Sequence, residues 1–318
     1  MTSTPKVLPR DAFIDEIFLA AKANPNIYFI TADLGAKALD RFRVELPRQF
    51  IHGGISEQNV MDLAAGLAQN GKIVYTYAMA PFVTLRCYEQ IKVAIASMSL
   101  PVTIIGNGVG YSYNDAGPTH YATEDISCMR ALGGIEILTA SDTESTLAIA
   151  RLSYSSPALR YVRLDRAFLP DIYRPGDDRF LRDGLVEIEP GKSACIIASG
   201  FTTQVAKEVR AILMEQGYEI AVIDAVRIKP IDPAVLESIL APYSKVITFE
   251  EHFLSGGMGG AIVEAMADAG ILKPVRRIGI PDTYVLENGG RQYLHEKVAI
   301  DARSVAGAAA AFLNGCSQ

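Results

Sequence analysis

The segment Gly54-Ile55-Ser56-Glu57-Gln58-Asn59 places a carboxylate on the first turn of a helix, directly after glycines that permit a sharp bend. Apolar residues continue the helix at intervals of three and four, which predicts one buried face: Val60, Leu63, Ala64, Leu67 and Ala68. Glu57 could simply complement the positive end of the helix dipole. Held rigidly at a buried helix start, it could instead perform acid–base chemistry, so we take it as the first catalytic candidate.

A second candidate lies in the glycine-rich stretch 107–120, which reads N-G-V-G-Y-S-Y-N-D-A-G-P-T-H and follows an apolar strand pattern. Loops that leave the carboxyl ends of parallel strands commonly carry substrate-handling groups. His120 is therefore a candidate for contact with substrate. The alternative is a loop histidine whose ring bonds to a backbone carbonyl.

A third stretch, residues 75–82, has the sequence Y-T-Y-A-M-A-P-F and leads into a helical pattern that bears Arg86, Tyr88 and Glu89. Aromatic side chains at the end of a strand can stack against a heteroaromatic ring. The same residues could equally be ordinary core.

Strand and helix patterns alternate around these stretches, which predicts a parallel sheet covered by helices on both faces. The predicted strands are 28–31, 73–77, 102–105 and 135–138, and the predicted helices are 10–23, 59–70, 85–97 and 143–153.

The alternation stops at residues 166–184, where proline, glycine and aspartate occur without a regular period, and this predicts a domain linker. We therefore expect two consecutive α/β domains, 1–165 and 185–318, of which the second is the smaller. Its predicted strands are 195–198, 220–223, 246–249 and 275–278, and its predicted helices are 203–216, 233–240 and 260–269.

Composition narrows the range of functions. The 318 residues are 49% hydrophobic with a net charge of −6, and the basic residues are scattered, so no nucleic-acid partner is expected. No apolar run is long enough to span a membrane and no signal-peptide pattern begins the chain, which predicts a cytoplasmic protein. The four histidines and four cysteines are dispersed, so we expect no metal site formed by this chain alone.

Several ordered motifs together resemble the C-terminal half of transketolase, that is, its pyrimidine-binding domain followed by its terminal domain. They are G-I-S-E-Q before the A-A-G-L-A helix, G-P-T-H before Glu124-Asp125, Glu250-Glu251-His252 before the glycine cluster 256–260, and Gly279-Ile280-Pro281-Asp282. The resemblance covers nearly the whole chain. The glycine cluster lacks a dinucleotide-binding spacing, so we expect a tight turn there and a structural role for His252.

The resemblance implies thiamine diphosphate as cofactor. In this family a glutamate at the position of Glu57 shares a proton with a ring nitrogen of the aminopyrimidine, which drives the exocyclic amine to its imino form. Phe82 is then the aromatic residue that packs on the pyrimidine, Tyr88 is a second wall, and Asp33 is a further cofactor contact.

The resemblance also implies the substrate contacts. His120 corresponds to the histidine that hydrogen-bonds the donor ketose oxygen, and Arg163 to an arginine that binds a sugar phosphate after the last strand of the domain. His52 is expected to face the substrate channel. Asp115 is displaced by one residue from the family pattern E-D-G-P-T-H, in which the aspartate contacts a sugar hydroxyl.

The family holds the diphosphate and Mg²⁺ with a G-D-G motif, which this sequence lacks. We therefore expect an α-type partner subunit that binds the diphosphate and the metal, in an α2β2 heterotetramer that transfers a two-carbon ketol unit between sugars or sugar phosphates. Two related enzymes remain open, the β subunit of a 2-oxoacid dehydrogenase and a synthase that condenses pyruvate with a triose phosphate. A non-catalytic scaffold subunit is the alternative of another class.

Overall fold

A computed structural model describes residues 7–32 and 35–315. The chain divides into two compact units: unit 1 comprises residues 1–109 and 128–176, and unit 2 comprises residues 110–127 and 177–318. Both units are α/β, which confirms the predicted fold class. Residues 110–127 lie inside the first domain that the sequence predicts, yet they cluster with unit 2. The domain limits 1–165, 166–184 and 185–318 stay predictions.

Unit 1 is built on a fully parallel sheet of six strands in the order β5-β6-β4-β3-β1-β2 within the described residues. The strands are β1 (Ile27–Thr31), β2 (Phe50–His52), β3 (Ile73–Met79), β4 (Val102–Asn107), β5 (Glu136–Thr139) and β6 (Arg160–Leu164). Their carboxyl ends lie along one edge of the sheet. Side chains on the turns that follow β2 and β3 are therefore presented at that same edge.

Helices cover the sheet of unit 1, and its aromatic core is centred on Phe29, whose ring lies 5.1 Å from Phe42 and 6.2 Å from Tyr75. The helices are α1 (Pro9–Ala23), α2 (Leu39–Glu45), α3 (Glu57–Gln69), α4 (Ala80–Thr84), α5 (Tyr88–Gln90), α6 (Asp125–Arg130) and α7 (Thr143–Ser155). Helix α6 begins in the residue range of unit 2 and ends in that of unit 1.

The prediction of one continuous helix over 85–97 is wrong. The backbone leaves helical geometry at Cys87, with φ −117° and ψ 26°, resumes as α5 and then widens into a π-helix at Ile91–Ala96. An apolar spacing of three and four does not distinguish a regular α-helix from an interrupted one with a π-helical turn.

Unit 2 contains a second sheet in the order β12-β11-β8-β9-β7, parallel except for the antiparallel edge strand β7. The strands of unit 2 are β7 (Leu185–Glu189), β8 (Ala194–Ala198), β9 (Ile220–Ala225), β10 (Arg227–Lys229), which lies outside this five-stranded sheet, β11 (Lys245–Phe253) and β12 (Val275–Ile280). Its helices are α8 (Arg179–Asp183), α9 (Phe201–Glu215), α10 (Pro233–Leu240), α11 (Met258–Asp268), α12 (Arg291–Lys297) and α13 (Ala302–Leu313). Helix α8 falls inside the predicted linker.

The longest helices, α1 and α9, have 15 residues each, whereas a helix needs about 20 apolar residues to cross a bilayer. Within residues 7–32 and 35–315, no helix is long and apolar enough to cross a membrane.

The glycine cluster 256–260 surrounds the carboxylate of Glu250 at the start of α11. The backbone N–H groups of Met258 and Gly259 donate to this carboxylate at 2.6 and 2.9 Å. A Cβ atom on Gly257 or Gly259 would come within 3 Å of Glu250. The glycines are therefore required for close packing, and the anion at this helix N-terminus is the protein's own side chain.

Candidate active site

A glycine bend connects the end of β2 to the start of α3. The N–H of Gly53 donates to the carbonyl of Thr31 at 2.8 Å, and a Cβ atom on Gly53 would lie 2.4 Å from Val60 Cγ2. Gly54 has φ +70°, a conformation that favours glycine. Ser56 Oγ donates to the carbonyl of Gly53 at 2.5 Å and closes the bend. The bend thus fixes the first residue of α3.

That first residue is Glu57, and its side chain points into the protein with 4% exposure. Its Oε2 accepts a hydrogen bond of 2.8 Å from Arg86 Nη1. The Arg86 guanidinium also lies 4.1 Å from the centre of the Phe82 ring, which is half-buried. Glu57, Arg86 and Phe82 therefore form one contact group at the carboxyl edge of the sheet.

The sequence pattern by itself gives Arg86 no role. The signal that could have found it is its spacing of four residues from Phe82, which places both side chains on one side of a helical turn. A buried carboxylate needs a charged or hydrogen-bonding partner, and Arg86 supplies both interactions. Its own side chain is 42% exposed, so solvent screens the ion pair from that side.

Cys87 follows Arg86 and is fully buried. Burial and the negative charge of Glu57 raise the pKa of its thiol to about 12, with burial the larger cause. The thiol is therefore protonated at neutral pH and cannot serve as a nucleophile there.

The remaining predicted residues of the first domain are spread along unit 1. His52 is exposed at the end of β2, and its Nδ1 accepts a hydrogen bond of 3.2 Å from the N–H of Gly54, so it shares the glycine bend with Glu57. Tyr88 begins α5 and is half-buried, and burial raises the pKa of its hydroxyl. Asp33 lies outside the described residues.

Arg163 lies within β6 and not after it, which corrects the position expected from the sequence. Its neighbours in the sheet are Gly106 of β4 and Thr139 of β5, and its Nη1 donates to Thr139 Oγ1 at 3.4 Å. The side chain is 5% exposed. Strand β6 was not predicted because two arginines, Arg160 and Arg163, interrupt its apolar pattern. Both arginines are nevertheless buried.

His120 lies in a loop that belongs to unit 2. The N–H groups and carbonyls of Gly110 and Ala122 exchange hydrogen bonds of 3.1 and 3.0 Å at the base of this loop. His120 is half-buried, its Nδ1 lies 2.8 Å from Thr119 Oγ1, and its ring centre lies 5.9 Å from that of Tyr113. Asp115 is exposed on the same loop.

Five of the predicted residues thus fall into two groups, the first of which also contains Arg86. Glu57, Phe82 and Arg86 are in contact in unit 1, where His52 shares their bend, and His120 and Asp115 share a loop in unit 2. Among the described residues, no set of three or more histidine, cysteine, aspartate or glutamate side chains is arranged to hold a metal ion. Glu57 offers one buried acid and Phe82 an aromatic face, and this pair suits the ring of a heterocycle. It does not suit a divalent cation, which needs several oxygen ligands.

A cavity of about 620 Å³ opens in unit 2, and its lining contains none of the predicted residues. Phe201, Val205 and Ile212 form its apolar wall, whereas Arg291 and His295 bring polar groups to it. The size of a cavity therefore does not identify the site here, and the positions of the acid and the aromatic residues are the better guide.

Comparison with protein families matches both halves of the chain. A model described as the transketolase pyrimidine binding domain matches residues 6–171, and one described as the transketolase C-terminal domain matches residues 184–305.

Individual relatives agree with these matches. An apulose-4-phosphate transketolase subunit of Phocaeicola vulgatus is 34% identical over 89% of this chain and 90% of its own length. A solved split-gene transketolase, described as an inactive β4 tetramer, is 30% identical to this chain with a TM-score of 0.84. The match covers 95% of this chain and 96% of the solved chain. 1-Deoxy-D-xylulose-5-phosphate synthase 1 of Geobacter sulfurreducens is 34% identical over 95% of this chain, which spans 47% of that protein.

Proposed function

The chain belongs to the transketolase family, and we propose that it is the β-type subunit of a split transketolase that transfers a two-carbon ketol unit from a ketose phosphate to an aldose. The observation that supports this most directly is the buried carboxylate of Glu57 at the start of α3, bonded to Arg86, which also contacts the aromatic ring of Phe82. A solvent-exposed glutamate at this position would not support the proposal.

Two nearly full-length relatives support a function shared between two subunits. One is named as a single subunit of a transketolase, and the other is described as an inactive β4 tetramer of a split-gene transketolase. We propose that this chain likewise needs an α-type partner, in an α2β2 heterotetramer located in the cytoplasm. Light scattering of the two subunits, apart and mixed, tests the stoichiometry.

Thiamine diphosphate, when bound, supplies the nucleophilic carbon that attacks the donor carbonyl and the electron sink for the cleaved carbon–carbon bond. Glu57 would hold the proton that it exchanges with the pyrimidine ring nitrogen, and Phe82 and Tyr88 would pack on that ring, with Asp33 a further contact. The diphosphate and Mg²⁺ would be held mainly by the partner subunit.

The substrate contacts proposed for this chain are hydrogen bonds and charges. His120 would donate to the donor's carbonyl oxygen and stabilise the negative charge that develops there. Arg163 would bind a phosphate, Asp115 a sugar hydroxyl, and His52 would face the entering substrate. Because two relatives are named for apulose 4-phosphate, at 34% and 30% identity, that ketose phosphate is the first donor to assay.

Substitution of the acid tests the proposal. We expect Glu57→Gln to lower kcat of the reconstituted enzyme by about 100-fold or more, since positioned acid–base groups contribute at least that factor. The thermal unfolding profile should stay that of the parent. Glu89→Gln is the matched control, because Glu89 is an exposed acid on the neighbouring helix α5. Parental turnover by Glu57→Gln would overturn the proposal.

A synthase that condenses pyruvate with a triose phosphate is the second candidate, because one 1-deoxy-D-xylulose-5-phosphate synthase is 34% identical over 95% of this chain, which spans 47% of that protein. Incubation of the reconstituted pair with pyruvate and glyceraldehyde 3-phosphate separates the two. Release of carbon dioxide without ketol transfer would favour the synthase, whereas ketol transfer from a ketose phosphate would favour the transketolase.

A further inference from the structure

The His120 loop, residues 110–122, is anchored at both ends in the core of unit 2. Tyr111 and Tyr121 stand at its two ends, and their rings pack edge to face with 4.9 Å between centres. Both rings are almost fully buried in the hydrophobic core of the unit, together with Phe249 and Leu294. The loop therefore begins and ends on a rigid base.

A charged cluster lies directly against the first residue of the loop. Arg291 donates to both oxygens of Glu251, at 2.8 and 2.5 Å, and His295 is bonded to the same carboxylate. A Cβ atom on Gly110, which has φ +58°, would lie 1.9 Å from Glu251 Oε2. The ion pair thus packs against the loop backbone with no space for a side chain.

The 287–289 segment (Glu287, Asn288 and Gly289) meets the same loop further along. Tyr121 Oη donates to the carbonyl of Glu287 at 2.7 Å, and the N–H of Gly289 donates to the carbonyl of Asn114 at 3.5 Å. A Cβ atom on Gly117 would lie 3.3 Å from Asn288 Oδ1. These three contacts are spaced along the loop on either side of its exposed residues 115 and 116.

We propose that the 287–289 segment of unit 2 sets the position of His120, and that Tyr121 is a positioning residue through its hydrogen bond to Glu287. The inference rests on the proposed function, in which His120 contacts the donor. His120 is the immediate neighbour of Tyr121 in the chain, so a shift of one moves the backbone of the other. The terminal unit would then contribute to donor recognition as well as to assembly.

The geometry supports this role because the loop has little regular structure of its own. Between Tyr111 and Tyr121 it contains turns and no helix or strand. His120 bonds within the loop to Thr119, a contact that moves with the loop and cannot fix it. The hydrogen bond of Tyr121 is, in contrast, made to a segment that is 166 residues away in sequence.

The test removes one hydroxyl group. In the enzyme reconstituted with its partner and assayed with apulose 4-phosphate or xylulose 5-phosphate as donor, we expect Tyr121→Phe to raise the donor KM about three- to tenfold, the equivalent of one hydrogen bond. The acceptor KM should not change. Tyr218→Phe is the matched control, because its hydroxyl also makes a 2.7 Å bond within unit 2, to Asn314, but far along the chain from the loop.

Hydrogen exchange supplies a readout that does not need the partner. In the chain by itself, the peptide covering 112–120 should exchange faster in Tyr121→Phe than in the parent or in Tyr218→Phe. Unchanged exchange together with a parental donor KM would overturn the inference.

A double mutant separates this inference from the proposed function. If Tyr121 acts through His120, Tyr121→Phe should add nothing to the donor KM of His120→Ala. An additional increase there would overturn the inference and leave the proposed role of His120 intact. If His120→Ala alone leaves donor kinetics unchanged, the proposed role of His120 fails instead.

Discussion

The Glu57 bend, residues 53–57, and the His120 loop, residues 110–122, are held in position in different ways. The bend is held by the carbonyl of Thr31, the hydroxyl of Ser56 and the guanidinium of Arg86, all of which belong to unit 1. The loop is fixed by side chains and backbone that come 130 residues or more later in the chain. A site built from regular elements is therefore determined locally, whereas a site on an irregular loop depends on distant partners.

This difference predicts how each region responds to change. A substitution near Glu57 acts on a few neighbours that regular hydrogen bonding holds in place. A substitution at the surface of unit 2 can move His120 although the substituted residue lies far from His120 in sequence. Substitutions chosen in matched pairs test this difference between the Glu57 bend and the His120 loop.

The largest effect is expected from alanine at Gly110, and Gly54, which also has a positive φ, is the matched comparison. Gly54→Ala should cost about 1–2 kcal/mol of unfolding free energy, the penalty of the left-handed conformation, since a Cβ atom there meets nothing within 4 Å. Gly110→Ala should cost about 2–5 kcal/mol, because overpacking against the Glu251 carboxylate adds about 1–3 kcal/mol to the same penalty. Denaturant unfolding followed by circular dichroism measures both. Equal losses of unfolding free energy in the two variants would contradict the difference between the two regions.

The next effect depends on pH. Burial by itself would raise the pKa of Glu251, but Arg291 and His295 outweigh burial and lower it to about 2. A lowered pKa stabilises the fold at pH values above the ordinary glutamate range, and this stabilisation is lost as pH falls from about 4.5 towards 2. The melting temperature of Glu251→Gln should therefore lie below that of the parent at pH 5, where the parent carboxylate is ionised.

Below pH 4.5 the margin between the two melting temperatures should narrow. Thermal unfolding at half-unit pH steps measures it, and Glu219→Gln, which removes an exposed ion pair with Lys192, is the control. A margin that stayed constant down to pH 3 would contradict the strong pairing of Glu251.

The smallest effect is expected at Arg86. Arg86→Met should cost about 1–2 kcal/mol of unfolding free energy, because the buried Glu57 carboxylate loses a charged donor, while solvent already screens half of the arginine. Arg182→Met removes a more exposed pair with Asp183 and should cost close to nothing. If the two variants unfold alike, Arg86 does not stabilise the Glu57 bend.

The family and the fold class could be predicted from the sequence, and the comparisons confirm both. The Glu57 bend could be predicted from the sequence because its signals are local. They are glycines that permit the turn, an acid at the helix start, and apolar residues spaced three and four apart after it. The assigned roles of Glu57, His120 and the other site residues stay predictions.

What the sequence could not reveal depends on tertiary contacts. The pairing of Arg86 with Glu57 joins residues 29 positions apart, and no periodicity encodes it. Nor does any local pattern connect Tyr121 with Glu287, since that bond exists only once unit 2 has folded. Helices α2, α4, α6, α8 and α12 and strands β2, β6, β7 and β10 were missed because their short or charged segments carry weak periodic signals. Helix α13, a 12-residue segment rich in alanine, was missed as well.

The assignment of residues 110–127 to unit 2 has a consequence for recombination between related enzymes. A chimera that exchanged only residues 185–318 would replace the packing environment of Tyr111 and Tyr121 while keeping the loop from the original parent. The block of residues that packs together is therefore discontinuous in sequence, and a crossover that keeps this packing intact has to transfer residues 110–127 along with the terminal region.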